Sequence, residues 1–196
     1  MLNPSTRRLF VLALIGVVML GATPAVVLAQ NGPAGTVVVE EGETVSSIET
    51  AAGSVIVRGT VTGDVSALAG DVHIDGAVGG DVSVAAGNVR IAGSVDGDVN
   101  AGAGNVRLEE GGTVGGNFQV GAGNVQLDGR IDGDAVIGAE TITLGDTASI
   151  GGSLRYDGSL QGNRDAVEGE IVRDPSLGSE TAPSFEPIVT GLFSIS

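Results

Sequence analysis

The chain has 196 residues with no cysteine, no tryptophan and no lysine, and aromatic residues make up only 3% of it. The lack of cysteine removes disulfides, thiol nucleophiles, lipid attachment at Cys and thiolate metal sites. A single histidine, His73, excludes any centre that needs two or three imidazoles. With so few rings an ordinary aromatic-rich core is not available, so burial must be organised in another way. What is abundant is glycine, with 34 residues, and carboxylate, with 24 acids in a chain of formal charge −15. Without Arg7 and Arg8, which fall in a leader described below, those 24 acids face seven arginines for a net charge of −17. Such an excess repels nucleic acid and anionic lipid, and neither is expected as a partner. It suits a salt-adapted host, where a Debye length of roughly 3 Å at 1 M salt screens the self-repulsion.

Glycine and valine recur together. From Gly53 to Gly104 one 17-residue unit is written three times, GSVIVRGTVTGDVSALA, GDVHIDGAVGGDVSVAA and GNVRIAGSVDGDVNAGA. Aligned on that period the chain gives seven turns, beginning near Gly35, Gly53, Gly70, Gly87, Gly104, Gly123 and Glu140, at spacings of 17 to 19 residues. The fifth and seventh carry two extra residues at matching places and read as bulged corners. One apolar column runs Val37, Val55, Val72, Val89, Val106, Val125, Ile142; two residues on, a second runs Val39, Val57, Ile74, Ile91, Leu108, Leu127, Leu144. A spacing of two puts both on one face of a strand. A third column starts at Val45 and ends at Ile150, a fourth runs from Ile48 to Leu154, and a fifth from Thr50 to Tyr156. Gly-Asp or Gly-Asn pairs such as Gly63-Asp64 and Gly80-Asp81 separate the columns, and are predicted to take the positive φ of sharp corners.

The predicted fold is therefore all-β, a single-chain parallel β-helix over residues 36–160, with three short strands per turn and a spacing of about 4.8 Å between turns. At about 1.5 to 3 kcal/mol per buried aliphatic side chain, the columns outweigh any surface pairing. A helical reading fails, because the apolar spacing is not 3.6 and each helical glycine would cost about 1 kcal/mol.

Over about residues 36–160 the recurring Gly-x-Val-x-Ile/Leu-x-Gly-x-Val-x-Gly-Asp-Val pattern resembles the bactofilins, polymer-forming cytoskeletal proteins. The resemblance implies right-handedness, end-to-end polymerisation without nucleotide, and association with membrane. Bactofilins are typically cytoplasmic, whereas this chain carries export grammar in residues 1–29: Arg7-Arg8, an apolar run from Leu9 to Leu20, and Val27-Leu28-Ala29 before Gln30. Thr6-Arg7-Arg8-Leu9-Phe10-Val11 is similar to a twin-arginine signal. A retained anchor is the alternative to cleavage, since the run through Leu28 approaches the ~20 residues that span a bilayer. The location expected is extracytoplasmic, at the envelope or membrane.

The unpaired end turns of a β-helix favour self-association into a homopolymer. Val37, Val39, Val45 and Ile48 are the candidates at one end, and Ile142, Leu144, Ile150, Leu154 and Tyr156 at the other. For Tyr156 two readings stand, interface or local cap. After a short mature start at 30–35 and the coil, residues 161–184 read as a cap and polar linker. Residues 185–196 place Phe185, Ile188, Val189, Leu192 and Phe193 on one helical face, an interfacial membrane contact or a frayed tail. The acidic column Asp64, Asp81, Asp98 and Asp134, with Asn117 within it, would repel by roughly 1 kcal/mol per adjacent pair in water and gather cations, as diffuse counterions or bound calcium. Asp71, Asn88, Asn105 and Asn124 form a second column suited to side-chain hydrogen bonds along the coil. No cofactor, small-molecule substrate or catalysis is expected, since the loops are too short to enclose a pocket. A monomeric binding or spacer module, touching envelope polymer through Arg90 and Arg107, is the alternative to the scaffold.

Overall fold

The computed structural model describes residues 26–28 and 35–178. In chain order the strands are β1 (Val26–Leu28), β2 (Thr36–Val39), β3 (Thr44–Val45), β4 (Ser47–Val57), β5 (Thr60–Val61), β6 (Val65–Ile74), β7 (Ala77–Val78), β8 (Val82–Ile91) and β9 (Ser94–Val95). The alternation continues with β10 (Val99–Leu108), β11 (Thr113–Val114), β12 (Phe118–Leu127), β13 (Arg130–Ile131), β14 (Ala135–Leu144), β15 (Ser149–Ile150), β16 (Leu154–Gly162) and β17 (Ile171–Arg173). Every pairing between these strands is parallel. The long strands stack in the order β1, β4, β6, β8, β10, β12, β14, β16, β17, with β2 also on β4, and the two-residue strands stack beside them. This is the parallel β-helix the columns predict, at a period set by one inward valine lying on the next.

The register follows the columns residue by residue: Val55 pairs with Val72, Val72 with Val89, Val89 with Val106 and Val106 with Val125. The inward positions are almost all fully buried, from Val55 at 0% to Phe118, the largest, also at 0%. No polar side chain is fully buried among the described residues. The tube is lined by Val, Ile, Leu, Ala and Phe118, and the one buried side-chain polar atom without a partner among the described residues is the Thr50 hydroxyl, so little offsets the hydrophobic gain.

Two of the three expected arms merge into one bent strand. In β8 the inward residues are Val82 and Val84, then Val89 and Ile91. The phase slips by one at Gly87, which the register skips. Gly70, Gly87, Gly104 and Gly123 stack at this bend. A Cβ on Gly87 would lie 2.8 Å from the Gly70 carbonyl oxygen, and one on Gly104 2.9 Å from that of Gly87. Side chains are excluded by the turn below.

The same cause corrects the expectation for the Gly-Asp corners. Their glycines do not adopt positive φ; a Cβ on Gly97 would meet Asp81 Oδ1 at 2.2 Å and the Gly80 carbonyl oxygen at 2.7 Å. Among the described glycines, positive φ is found at Gly42 (82°) and Gly111 (86°), at the tips of bulged corners with open space around them, and at Gly158 and Gly162 near the end of the coil. The first turn shares the bulge of the fifth. Glu43 N–H donates to the Glu40 carbonyl at 3.0 Å, as Gly112 N–H does to that of Glu109 at 2.9 Å.

The coil also runs past residue 160. Leu160 pairs with Ile142 and Gly162 with Leu144, Val167 bridges to Ile150, and Ile171 pairs with Leu154. A short 3-10 helix, Arg164–Ala166, replaces part of the corner. This is an eighth turn.

Candidate functional site

The described turns repeat one another closely, so what distinguishes one part of the coil from another is its two ends, the ladders along its edges and an open groove on one face. The acidic column is a backbone device. Asp64 Oδ1 accepts the N–H of Asp81 at 2.9 Å, Asp81 that of Asp98 at 2.8 Å, Asp98 that of Asn117 at 2.6 Å, Asn117 that of Asp134 at 3.1 Å, and Asp134 that of Ser153 at 2.7 Å. At this corner the chain leaves the sheet, and the carboxylate of the preceding turn supplies the acceptor that a neighbouring carbonyl would otherwise provide. A charged acceptor makes such a bond stronger than a neutral one. Among the described residues no group of three or more His, Cys, Asp or Glu is placed to hold a metal ion. The second column is joined as the sequence predicts, with Asn88 Nδ2 donating to Asp71 at 2.8 Å, Asn105 Nδ2 to Asn88 at 2.9 Å and Asn124 Nδ2 to Asn105 at 3.1 Å.

At the N-terminal end, Val37, Val39, Val45 and Ile48 lie together in the first turn as their columns require, and all are buried, at 5%, 1%, 3% and 1% exposure. Val26, Val27 and Leu28 run parallel to β4, beside Ser47, Ile48 and Glu49. With β2 on Ser54–Val57 and β3 on Thr60–Val61, this strand completes the end of the coil on all three arms.

At the C-terminal end the candidates sit one turn inside the boundary. Ile142, Leu144, Ile150 and Leu154 are buried at 1% exposure or less, covered by the eighth turn, and Tyr156 is half-buried beside Arg173. The end itself is made by Leu160, Val167 and Ile171, half-buried against the core. The sequence carries a signal for this turn: Ala166-Val167-Glu168-Gly169-Glu170-Ile171 repeats Ser94-Val95-Asp96-Gly97-Asp98-Val99 with Glu for Asp. The ladder continues there, weakened, with Glu170 N–H on Ser153 Oγ at 3.4 Å. Beyond β17, Asp174 accepts from the Ser176 hydroxyl and from Arg155, and with the Ser176 N–H these bonds lower its pKa to about 2. A second 3-10 helix, Pro175–Gly178, then turns back along the outside of β14 and β16. Phe185, Ile188, Val189, Leu192 and Phe193 lie outside the described residues, as does most of the 1–29 leader.

Between the ends an open groove of about 510 Å³ runs across several turns, lined by Asp71, His73, Asn88, Arg90, Asn105 and Arg107 among others. Arg90 and Arg107 stack on adjacent turns and share one carboxylate, Glu109, at 3.0 and 3.9 Å. Glu109 begins the bulged corner of the fifth turn, so the two-residue insertion brings an acid to the only pair of stacked arginines in the described coil.

Among the described residues the chain is an all-β coil with parallel in-register turns and an apolar terminal turn, the architecture of a β-solenoid. Residues 75–171 match the family model described as Bactofilin: Polymer-forming cytoskeletal. The chain belongs to the bactofilin family, a structural and non-enzymatic class of polymer-forming cytoskeletal scaffolds. No curated protein and no solved structure matches it in the other two comparisons.

Proposed function

We propose that this scaffold is exported and joins end to end into filaments at the extracytoplasmic face of the cell envelope. The observation that carries the assembly is the unfinished eighth turn. Leu160, Val167 and Ile171 are half-buried where every equivalent residue deeper in the coil is sealed, and another coil end would remove that apolar surface from water at about 25 cal/mol per Å². Unpaired strand edges at the same end favour the same contact. Arg7-Arg8 followed by the Leu9–Leu20 run supports export, and the apolar positions Phe185, Ile188, Val189, Leu192 and Phe193 support a membrane contact beyond the coil. Electron microscopy of residues 30–196 over a range of salt tests the assembly: filaments support it, and monomers at every salt concentration refute it.

The groove favours a second reading, a monomeric spacer or binding module. Arg90, Arg107 and His73 line the groove on a strongly acidic chain, with Asp71 the one acid in the lining and Glu109 ion-paired to both arginines, a setting that fits an anionic polymer. Stable monomers whose affinity for such a polymer falls in Arg90→Ala/Arg107→Ala would support this reading over the first.

A further inference from the structure

The strand beside Ser47–Glu49 belongs to the segment read as the leader. If processing falls after Ala29, as Val27-Leu28-Ala29 predicts, then Val26–Leu28 leaves with it and one arm of the first turn loses its partner. We propose that β1 is an intramolecular block on the N-terminal end of the coil, and that removing the leader uncovers Ser47–Glu49 as a docking edge for a second copy of this chain. The inference rests on the end-to-end reading above.

Three observations converge on it. First, β1 pairs in parallel and in register, Val26 with Ser47, Val27 with Ile48 and Leu28 with Glu49. That is the geometry in which successive turns of the coil pair, so the edge accepts a strand of the kind another copy's terminal turn presents. Second, Ile48, the first-turn residue beside β1, is 1% exposed although it belongs to the terminal turn, whereas Ile171, at the same place in the turn at the other end, is only half-buried. The N-terminal end is closed in the chain that carries its leader, and the C-terminal end is open. Third, the pairing stops one residue short of Thr50, whose hydroxyl is buried with no hydrogen-bond partner among the described residues. An edge three residues long with an unsatisfied hydroxyl beside it suits a reversible cover better than a permanent part of the coil. A chain exported in the folded state would carry this block until processing and could not chain up beforehand.

The test uses the full chain of 196 residues in mild detergent, with a protease site inserted between Ala29 and Gln30. Pelletable polymer is measured before and after the cut and imaged by electron microscopy. A second, uncut chain carries Val26→Pro/Val27→Pro. Successive strand residues point their N–H groups to opposite edges, so this pair removes one ladder donor whichever edge faces β4. Losing a few net backbone hydrogen bonds predicts roughly tenfold or more polymer in both the cut chain and the proline variant than in the uncut parent. Equal polymer in the uncut parent overturns the block while leaving end-to-end assembly standing. Polymer in the cut chain but not in the proline variant also overturns it, because the leader then hinders assembly by some means other than strand pairing. No polymer in any of the three refutes end-to-end assembly itself, and the block with it.

Discussion

The two ends of the coil are built from the same columns and finished differently. The N-terminal end is regular: β1, β2 and β3 lie on all three arms, and the inward valines are as deeply buried as those in the middle. The C-terminal end keeps the register but loosens it, with a 3-10 helix in one corner, Gly158 and Gly162 at positive φ, and a half-buried apolar set. The ladder bond of 2.6 to 3.1 Å in the middle lengthens to 3.4 Å at Glu170. In a solenoid each turn is stabilised by its neighbours, so a turn with one neighbour tolerates irregularity that an inner turn does not. The closed end is held by a strand outside the repeat, and the open end holds itself by local ion pairs.

The contrast predicts unequal costs for equivalent changes at the two ends. The largest difference is expected for a buried charge. Val39→Asp, at a position 1% exposed, should cost on the order of 3 to 5 kcal/mol and detach the first turn, whereas Ile171→Asp, half-buried, should cost about 1 kcal/mol; thermal unfolding measures both, and equal losses would break the comparison. Next comes Gly97→Ala, whose Cβ would collide with Asp81 and Gly80, at on the order of 2 kcal/mol. The equivalent Gly169→Ala meets the Gly152 carbonyl at 2.6 Å but lies in a turn free to shift outward, so its cost in the same assay should be smaller.

The ladder sharpens the contrast further. Asp98→Ala strips the acceptor from the Asn117 N–H and should cost about 1 kcal/mol, while Ser153→Ala removes only the 3.4 Å contact and should cost a few tenths by the same principle. The smallest effect is acidic and local. Because Asp174 is held down to about 2 by Ser176 and Arg155, its carboxylate stabilises the C-terminal segment above about pH 4, the ordinary carboxylate range, and that contribution is lost as the pH falls toward 2. The amide NMR shifts of Ser176 and Leu177 should move over that window, and Asp174→Asn should flatten the change.

Much of this was legible from spacing alone. A period of two within a period of 17 identifies Val55, Val72, Val89 and Val106 as one buried column, because only a strand returning at each turn puts them in register. What spacing does not carry is direction and approach. It stacks Asp64 on Asp81 and so suggests repulsion, but not that each carboxylate is turned onto a backbone N–H of the next turn. It marks glycine at the corners, but the cause is that a Cβ there, as at Gly97, would lie 2.7 Å from the carbonyl oxygen of the turn below, and not the backbone angle. Spacing hides the eighth turn because Arg164–Ala166 interrupts the period just before Val167 resumes it, with Glu in the place of Asp. The pairing of Val26–Leu28 has no signal in the repeat at all, since those residues also fit the end of a leader.

Oriented fibre diffraction from assembled residues 30–196 tests the central claim most directly. End-to-end stacking of coils predicts a strong reflection at about 4.8 Å along the filament axis, with an axial subunit repeat of roughly 38 Å for eight turns. A 4.8 Å reflection perpendicular to the filament axis would mean that the coils pack side by side, and would contradict end-to-end assembly.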